Sequence, residues 1–389
     1  MAKKTWTLTD VENDVYVEDL SILPSHVGGS ATDYSVRKRT LRGGLRDGVD
    51  VVEGVAGACR LTLIPTRGMG IWRAWVGDVP IGWQSPIRGP VHPRYVPLAD
   101  PGGLGWLDGF DELLVRCGLE SNGAPDFDTA GRLRYPLHGR IANRPAHKLD
   151  VTVDGDTGEI AVTGHVDESR FHFQKLRLTS TVTVRPGAPM VRVDDQVTNL
   201  SGDPAAMQLL YHVNFGAPVL DAGARLILPA KSIAPRDLVA AEHMDHWDQY
   251  APPQPKFTEQ VSFFELLADR NGMTRTVLRN AAGTLGISLV FSTKELPCFT
   301  QWKNTPAAAD GYVTGLEPGT NFPNARSFEA SQGRVVPLAP GQAATFHLQL
   351  EVHTDAPQVA AAEQAVAQLQ AGKKAVVLDR PQRGWSPDA

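Results

Sequence analysis

The stretch Lys175-Leu176-Arg177-Leu178-Thr179-Ser180-Thr181-Val182-Thr183-Val184-Arg185 alternates apolar and polar residues with a period of two. Leu176, Leu178, Val182 and Val184 fall on one side, and Lys175, Arg177, Thr179, Thr181, Thr183 and Arg185 on the other. Because successive strand side chains point to opposite faces, this is the pattern of an antiparallel strand with one wet and one buried face. The alternation returns near the end of the chain at Phe346, Leu348, Leu350 and Val352, set against Thr345, His347, Gln349, Glu351 and His353.

Working outward, further short strands are expected over residues 60–64, 149–153, 160–166, 190–199, 207–215, 276–279 and 285–291, each bounded by glycine, proline or other turn formers. Residues 154–159, Asp-Gly-Asp-Thr-Gly-Glu, read as a hairpin loop joining two of them. Many strands without alternating helices predict an all-β chain, a large antiparallel sandwich. Helix is expected briefly over residues 108–117 and more fully over 356–371, which is rich in Ala and Gln, with 379–389 as a frayed tail. With no linker or internal repeat in the body, residues 1–355 are taken as one sandwich domain and 356–389 as a C-terminal helix and tail.

Composition narrows the function. The chain is 42% hydrophobic and 21% charged, and its net charge of -5 comes from acids and bases mixed throughout, so no basic stripe is offered to nucleic acid. Three widely spaced cysteines, Cys59, Cys117 and Cys298, form no disulfide or zinc pattern. The first twenty residues lack the apolar stretch of a secretion signal, and no segment is apolar enough to span a bilayer. A cytoplasmic protein acting on a small molecule is expected; the residues do not bear on self-association.

Four local clusters combine turn formers with polar side chains. In Pro65-Thr66-Arg67-Gly68-Met69-Gly70 a strand runs into a glycine turn, which leaves Arg67 either gripping ligand oxygens or simply solvated. Leu137-His138-Gly139-Arg140-Ile141-Ala142-Asn143 follows the loop Glu120-Ser121-Asn122-Gly123, and His138 there reads as a ligand contact or as a local cap. On the strand around Tyr211, alternation puts Gln208, Leu210, His212 and Asn214 on one face. Polar groups on a buried face need partners or water, so this face is expected to line a wet pocket, with a satisfied core histidine as the alternative. In Gly315-Leu316-Glu317-Pro318-Gly319-Thr320-Asn321 a carboxylate ends a short strand before a tight turn, at a cleft edge or on the surface.

Together with Cys117-Gly118-Leu119, Tyr211-His212-Val213-Asn214-Phe215-Gly216 and the closing Leu338-Ala339-Pro340-Gly341, these segments resemble the aldose 1-epimerase, or galactose mutarotase-like, family over roughly residues 30–353. The resemblance implies a β sandwich with a shallow sugar cleft and an isomerase that opens and recloses the sugar ring by acid–base chemistry. It implies Glu317 as general base and His212 as general acid, with His138 and Arg67 holding ring or hydroxyl oxygens; Arg140, Asn122, Gln208 and Asn214, from the same clusters, are expected to help bind the sugar. Relatives in this branch often carry an acidic residue where this chain has Gly70, and Asp245 has no assigned role. No cofactor is required by such chemistry.

Two other classes stay open. Glu242-His243-Met244-Asp245-His246, with His138 and His212, offers ligands for a divalent metal, which would make the chain a metal-assisted isomerase or epimerase acting at another carbon. A non-catalytic sugar binder would instead use aromatic platforms, for which Trp72, Trp75, Trp83, Trp106 and Trp302 are candidates, although most of them are expected in the core.

Overall fold

The structure is a computed structural model that describes residues 2–389. The alternating stretch forms the strand Lys175–Val184, which pairs antiparallel with Ile160–Ser169 on one side and Met190–Asn199 on the other. These strands belong to a ten-stranded sheet that also takes in Lys3–Asp10, Lys148–Asp154, Met273–Arg279, Gly286–Ser292 and Ala343–His353. The Asp154 side chain accepts from the backbone N–H groups of Asp156 and Thr157, so the expected hairpin is in place.

A fourteen-stranded sheet carries most of the remainder, with Gln260–Leu266, Cys298–Asn304, Val313–Gly319, Ala205–Phe215 and Leu114–Leu119 side by side in that order. Apolar residues from both sheets, among them Val162, Leu178 and Val193 from one and Leu61, Met207 and Tyr211 from the other, pack into one buried cluster. The sheets approach closely: a Cβ on Gly164 would lie 2.2 Å from the Met69 sulfur, so any larger residue there would have to displace that side chain.

Two buried charge pairs fasten this arrangement. Arg116, from the larger sheet, meets Asp195, from the smaller one, with both side chains sealed from solvent. Its remaining N–H groups donate to Met69 O and Ser180 Oγ, and the Tyr211 hydroxyl donates to Asp195 at 2.9 Å. Buried charges are tolerable only when satisfied in this way. The second pair, Arg67 with Glu112, is treated below.

Residues 108–117 do not form the expected α-helix. A short 3-10 turn spans Gly105–Gly109, and Leu114–Leu119 is an internal strand buried on both faces. A short apolar run of this kind has no periodicity to separate strand from helix. The helix near the end is real, Ala356–Gln370, capped by Asp355 and laying Val359, Ala362 and Val366 on the smaller sheet. The segment after it is held rather than frayed. Val376–Val377 pairs parallel to Ala230–Pro235, Trp385 packs on Phe322, and buried Ser386 donates to Arg236 O. No helix among the described residues is long and apolar enough to cross a membrane.

Candidate functional site

The outer face of the larger sheet holds a cavity of about 250 Å³, small for a ligand pocket. Strand register builds its floor. Val213 pairs with Leu316, which sets His212 opposite Glu317, and Glu317 pairs in turn with Thr300 on the next strand. His212, Glu317 and Thr300 therefore form one row across three adjacent strands, although they are distant in sequence. All three line the cavity, with Trp302 beside them and Trp106, Phe110 and Leu137 from loops around it.

His212 and Glu317 touch: Nε2 lies 3.2 Å from Oε1, and both side chains are about 95% buried. A Cβ at Gly315 would come within 2.7 Å of that carboxylate oxygen, so the glycine makes the contact possible. The hydrogen-bond pattern assigns the proton. Asn214 Nδ2 donates to the carbonyls of Glu112 and His212, which leaves Asn214 Oδ1 as acceptor, 2.6 Å from His212 Nδ1. Nδ1 thus carries hydrogen, and Nε2 presents a lone pair to Glu317. Burial, with Glu259 nearby adding to it, pushes the Glu317 carboxyl up to about 8. Burial also holds His212 well below the usual histidine range. At neutral pH one proton resides between the two, on Glu317 and directed at Nε2.

His138 closes the site from above the floor. It sits in the left-handed region at φ 56°, with Gly139 following in a backbone so tight that a Cβ would fall 1.9 Å from Ser121 O. Nδ1 donates to Asn122 O at 3.0 Å, so Nε2 is a free acceptor, and burial drives this imidazole down to about 4. Its ring lies 5.3 Å from that of His212 and 4.5 Å from Trp106.

The other expected substrate-binding residues do not reach the cavity. Arg67 is fully buried and does not line the cavity: four of its five guanidinium N–H groups donate to Glu112 Oε1, Val91 O, Asn143 Oδ1 and Gly109 O. Asn122 exchanges amide hydrogen bonds with Asn321, both at 2.8 Å, and serves His138 only through its carbonyl. Asn214 orients His212. Arg140 pairs with Glu120 at a separate depression. Gln208 shares a strand with His212 but is buried beyond the cavity, its amide without a partner. In each case a turn or strand position gave the residue type but not where the side chain ends.

Arg236, Glu259 and Thr300 line the cavity and were not singled out from sequence. Thr300 becomes legible only through its pairing with Glu317, and Arg236 and Glu259 flank strand ends with no local motif. Of the five tryptophans, Trp106 and Trp302 line the cavity, whereas Trp72 and Trp83 donate to Asp111 and to Glu112 O. Among the described residues no group of three or more His, Cys, Asp or Glu side chains is gathered as a metal site needs, so Glu242, His243, Asp245 and His246 do not join the cleft histidines in one ligand set.

The profile of a family described as a domain of unknown function, DUF4432, matches residues 46–352. The crystal structure of a proposed aldose 1-epimerase from Klebsiella pneumoniae subsp. pneumoniae MGH 78578 superposes with a TM-score of 0.95 at 36% identity, covering 97% of this chain and 99% of that one. A galactose mutarotase-like protein from Clostridium acetobutylicum gives 0.57 at 15% identity, over 83% and 99% of the two chains. A galactose 1-epimerase from Lactobacillus acidophilus NCFM gives 0.54 at 10% identity, over 82% and 99%. The latter two share the fold. No curated protein matches the chain.

Proposed function

The chain belongs to the DUF4432 family and carries the galactose mutarotase-like fold, and from that premise we propose that it interconverts the anomers of a sugar by opening and reclosing the hemiacetal ring in this cleft. The observation that carries the reading is the His212–Glu317 contact at the floor of a cavity walled by Trp106, Trp302 and Phe110. Aromatic walls suit the C–H face of a sugar ring, and the pair suits a hemiacetal, whose two oxygens sit on one carbon.

In this mechanism Glu317 donates its proton to the ring oxygen as the bond from that oxygen to the anomeric carbon breaks. His212 Nε2 takes the proton of the anomeric hydroxyl, which becomes the aldehyde oxygen. The pair is left as carboxylate and imidazolium in contact, so the charge created is neutralised where it forms. Rotation about the bond next to the aldehyde and the reverse transfers give the other anomer. Glu317 as base and His212 as acid, the roles implied by resemblance, are those of the ion-pair form and act on reclosure. Burial makes the neutral form the resting one. His138 Nε2 accepts from a substrate hydroxyl. The chemistry proposed requires no cofactor and no covalent intermediate.

Exchange NMR on a panel of aldoses tests the reading. At least one sugar should interconvert anomers faster with the protein than in buffer, and buffer rates across the panel would dismiss it. Asn214 should matter through the tautomer it fixes. Asn214→Ala is expected to lower kcat by about 10- to 100-fold, taking the range known for partners that orient metal-bound histidines, with KM little changed. An unaltered kcat would show that the tautomer needs no such support.

A further inference from the structure

The acid–base reading leaves unused a charged pair in the cleft wall, Arg236 and Glu259. Arg236 Nη2 lies 2.9 Å from Asp237 Oδ2 and 3.0 Å from Glu259 Oε1, so one guanidinium faces two carboxylates. Glu259 Oε2 accepts from Trp302 Nε1 at 2.7 Å, which ties the pair to the aromatic wall. The backbone locks the arrangement as well: Arg236 N donates to Val261 O, and Ser386 from the C-terminal segment donates to Arg236 O. Both side chains remain open to an incoming molecule, with Arg236 32% and Glu259 44% exposed.

Charge counting around the cavity is one-sided. Among the described residues, Arg236 is the only Lys or Arg lining it, and its charge is already matched twice over. The two lining histidines are neutral at pH 7, because burial keeps both imidazoles low. An anionic group entering here would find no uncommitted cation and would meet Glu259 directly. Hydroxyls would find matching partners. Each carboxylate oxygen of Glu259 keeps acceptor capacity beyond the bond it already makes, and Arg236 has further N–H groups. Trp106 Nε1 and Thr300 Oγ1, each on a residue only 1% exposed and lining the same cavity, have no hydrogen-bond partner in the protein. A hydroxyl group, which both donates and accepts, is the simplest ligand that satisfies such groups.

We infer that Arg236 and Glu259 are the specificity-determining residues of the cleft, selecting an uncharged sugar through its hydroxyls and turning away phosphorylated and acidic sugars. This rests on the function proposed above and adds the substrate class to it. Glu259 binds substrate hydroxyls as an acceptor, and Arg236, held between its carboxylates, acts as a donor and not as an anion site. The same pair positions Trp302 against the ring.

The test uses the full-length protein with D-glucose, D-galactose, D-glucose 6-phosphate and D-galacturonate, reading binding by saturation-transfer NMR and turnover by exchange NMR, for wild type and for Glu259→Gln. Wild type should favour the neutral sugars by at least about tenfold, the scale of one hydrogen bond to a charged group. In Glu259→Gln, which releases one carboxylate from Arg236, that preference should shrink by a similar factor. A loss that was only structural would lower all four alike and would overturn the assignment. Equal or better handling of the 6-phosphate or the uronate by wild type would overturn it too, with the epimerase reading still standing. If no sugar is turned over, the epimerase reading falls and the binding arm decides alone. Preferred binding of the neutral sugars upholds the inference, and preferred binding of an anionic one, or of none, overturns it.

Discussion

Glu317→Gln is expected to slow catalysed anomer interconversion by about two to four orders of magnitude, the range for a positioned proton donor, without lowering the denaturation midpoint. The second half of that expectation follows from the site. Burial already keeps the Glu317 carboxyl uncharged up to about pH 8, so a neutral amide of the same shape replaces a neutral acid and leaves no new buried charge. What the amide lacks is a proton that His212 and the ring oxygen can share. His212→Asn should cost a comparable factor, because the acceptor 3.2 Å from Glu317 is removed. As the two side chains act as a unit, the double variant should be little slower than either single one. Wild-type rates in either single variant would remove that residue from the mechanism.

Arg67→Met is expected to act on stability, not on substrate affinity. The substitution strands Glu112 in a site where both side chains are essentially sealed from water, and breaking a buried pair on one side typically costs about 3–5 kcal/mol. It also removes donors from Val91 O, Gly109 O and Asn143 Oδ1, of which Gly109 precedes the cavity-lining Phe110. Adding Glu112→Leu should recover part of the loss, since a fully apolar replacement buries no charge. Urea denaturation of the single and double variants reads this directly. A stable Arg67→Met protein with a raised KM would return Arg67 to the ligand-binding role that its strand-end position suggested.

These two residues show what the sequence discloses and what it withholds. The fold was legible because alternation is a local property: Lys175–Val184 and Ala343–His353 announce a sheet with one buried face through spacing alone. Leu114–Leu119 was misread as part of a helix because a strand buried on both faces has no alternation to show. In the site, Glu317, His212 and His138 stood out as polar residues at strand ends and glycine turns, and the structure gathers all three at one cavity. Their relation was not legible. Resemblance implied a base and an acid without their mutual placement, and the register that seats His212 opposite Glu317 puts them in contact. Register and pairing order are long-range facts, and no window of sequence contains them. The same limit hid Thr300, Arg236 and Glu259, and it made Arg67 look like a ligand-binding residue when its partners come from residues 91, 109, 112 and 143.

The proton shared by Glu317 and His212 is the point on which the mechanism turns, and the pH dependence of wild-type kcat/KM for a sugar that the protein turns over tests it most directly. With the Glu317 carboxyl raised to about 8 and His138 lowered to about 4, the pair holds its single proton and His138 stays an acceptor between those values. The acceleration over buffer should therefore be level through neutrality and fall as pH rises through about 8, when Glu317 ionises. An acceleration that instead appears only as pH rises through the ordinary glutamate range near 4.5, and then persists undiminished well above 8, would show an ionised Glu317 acting alone and would contradict the shared proton.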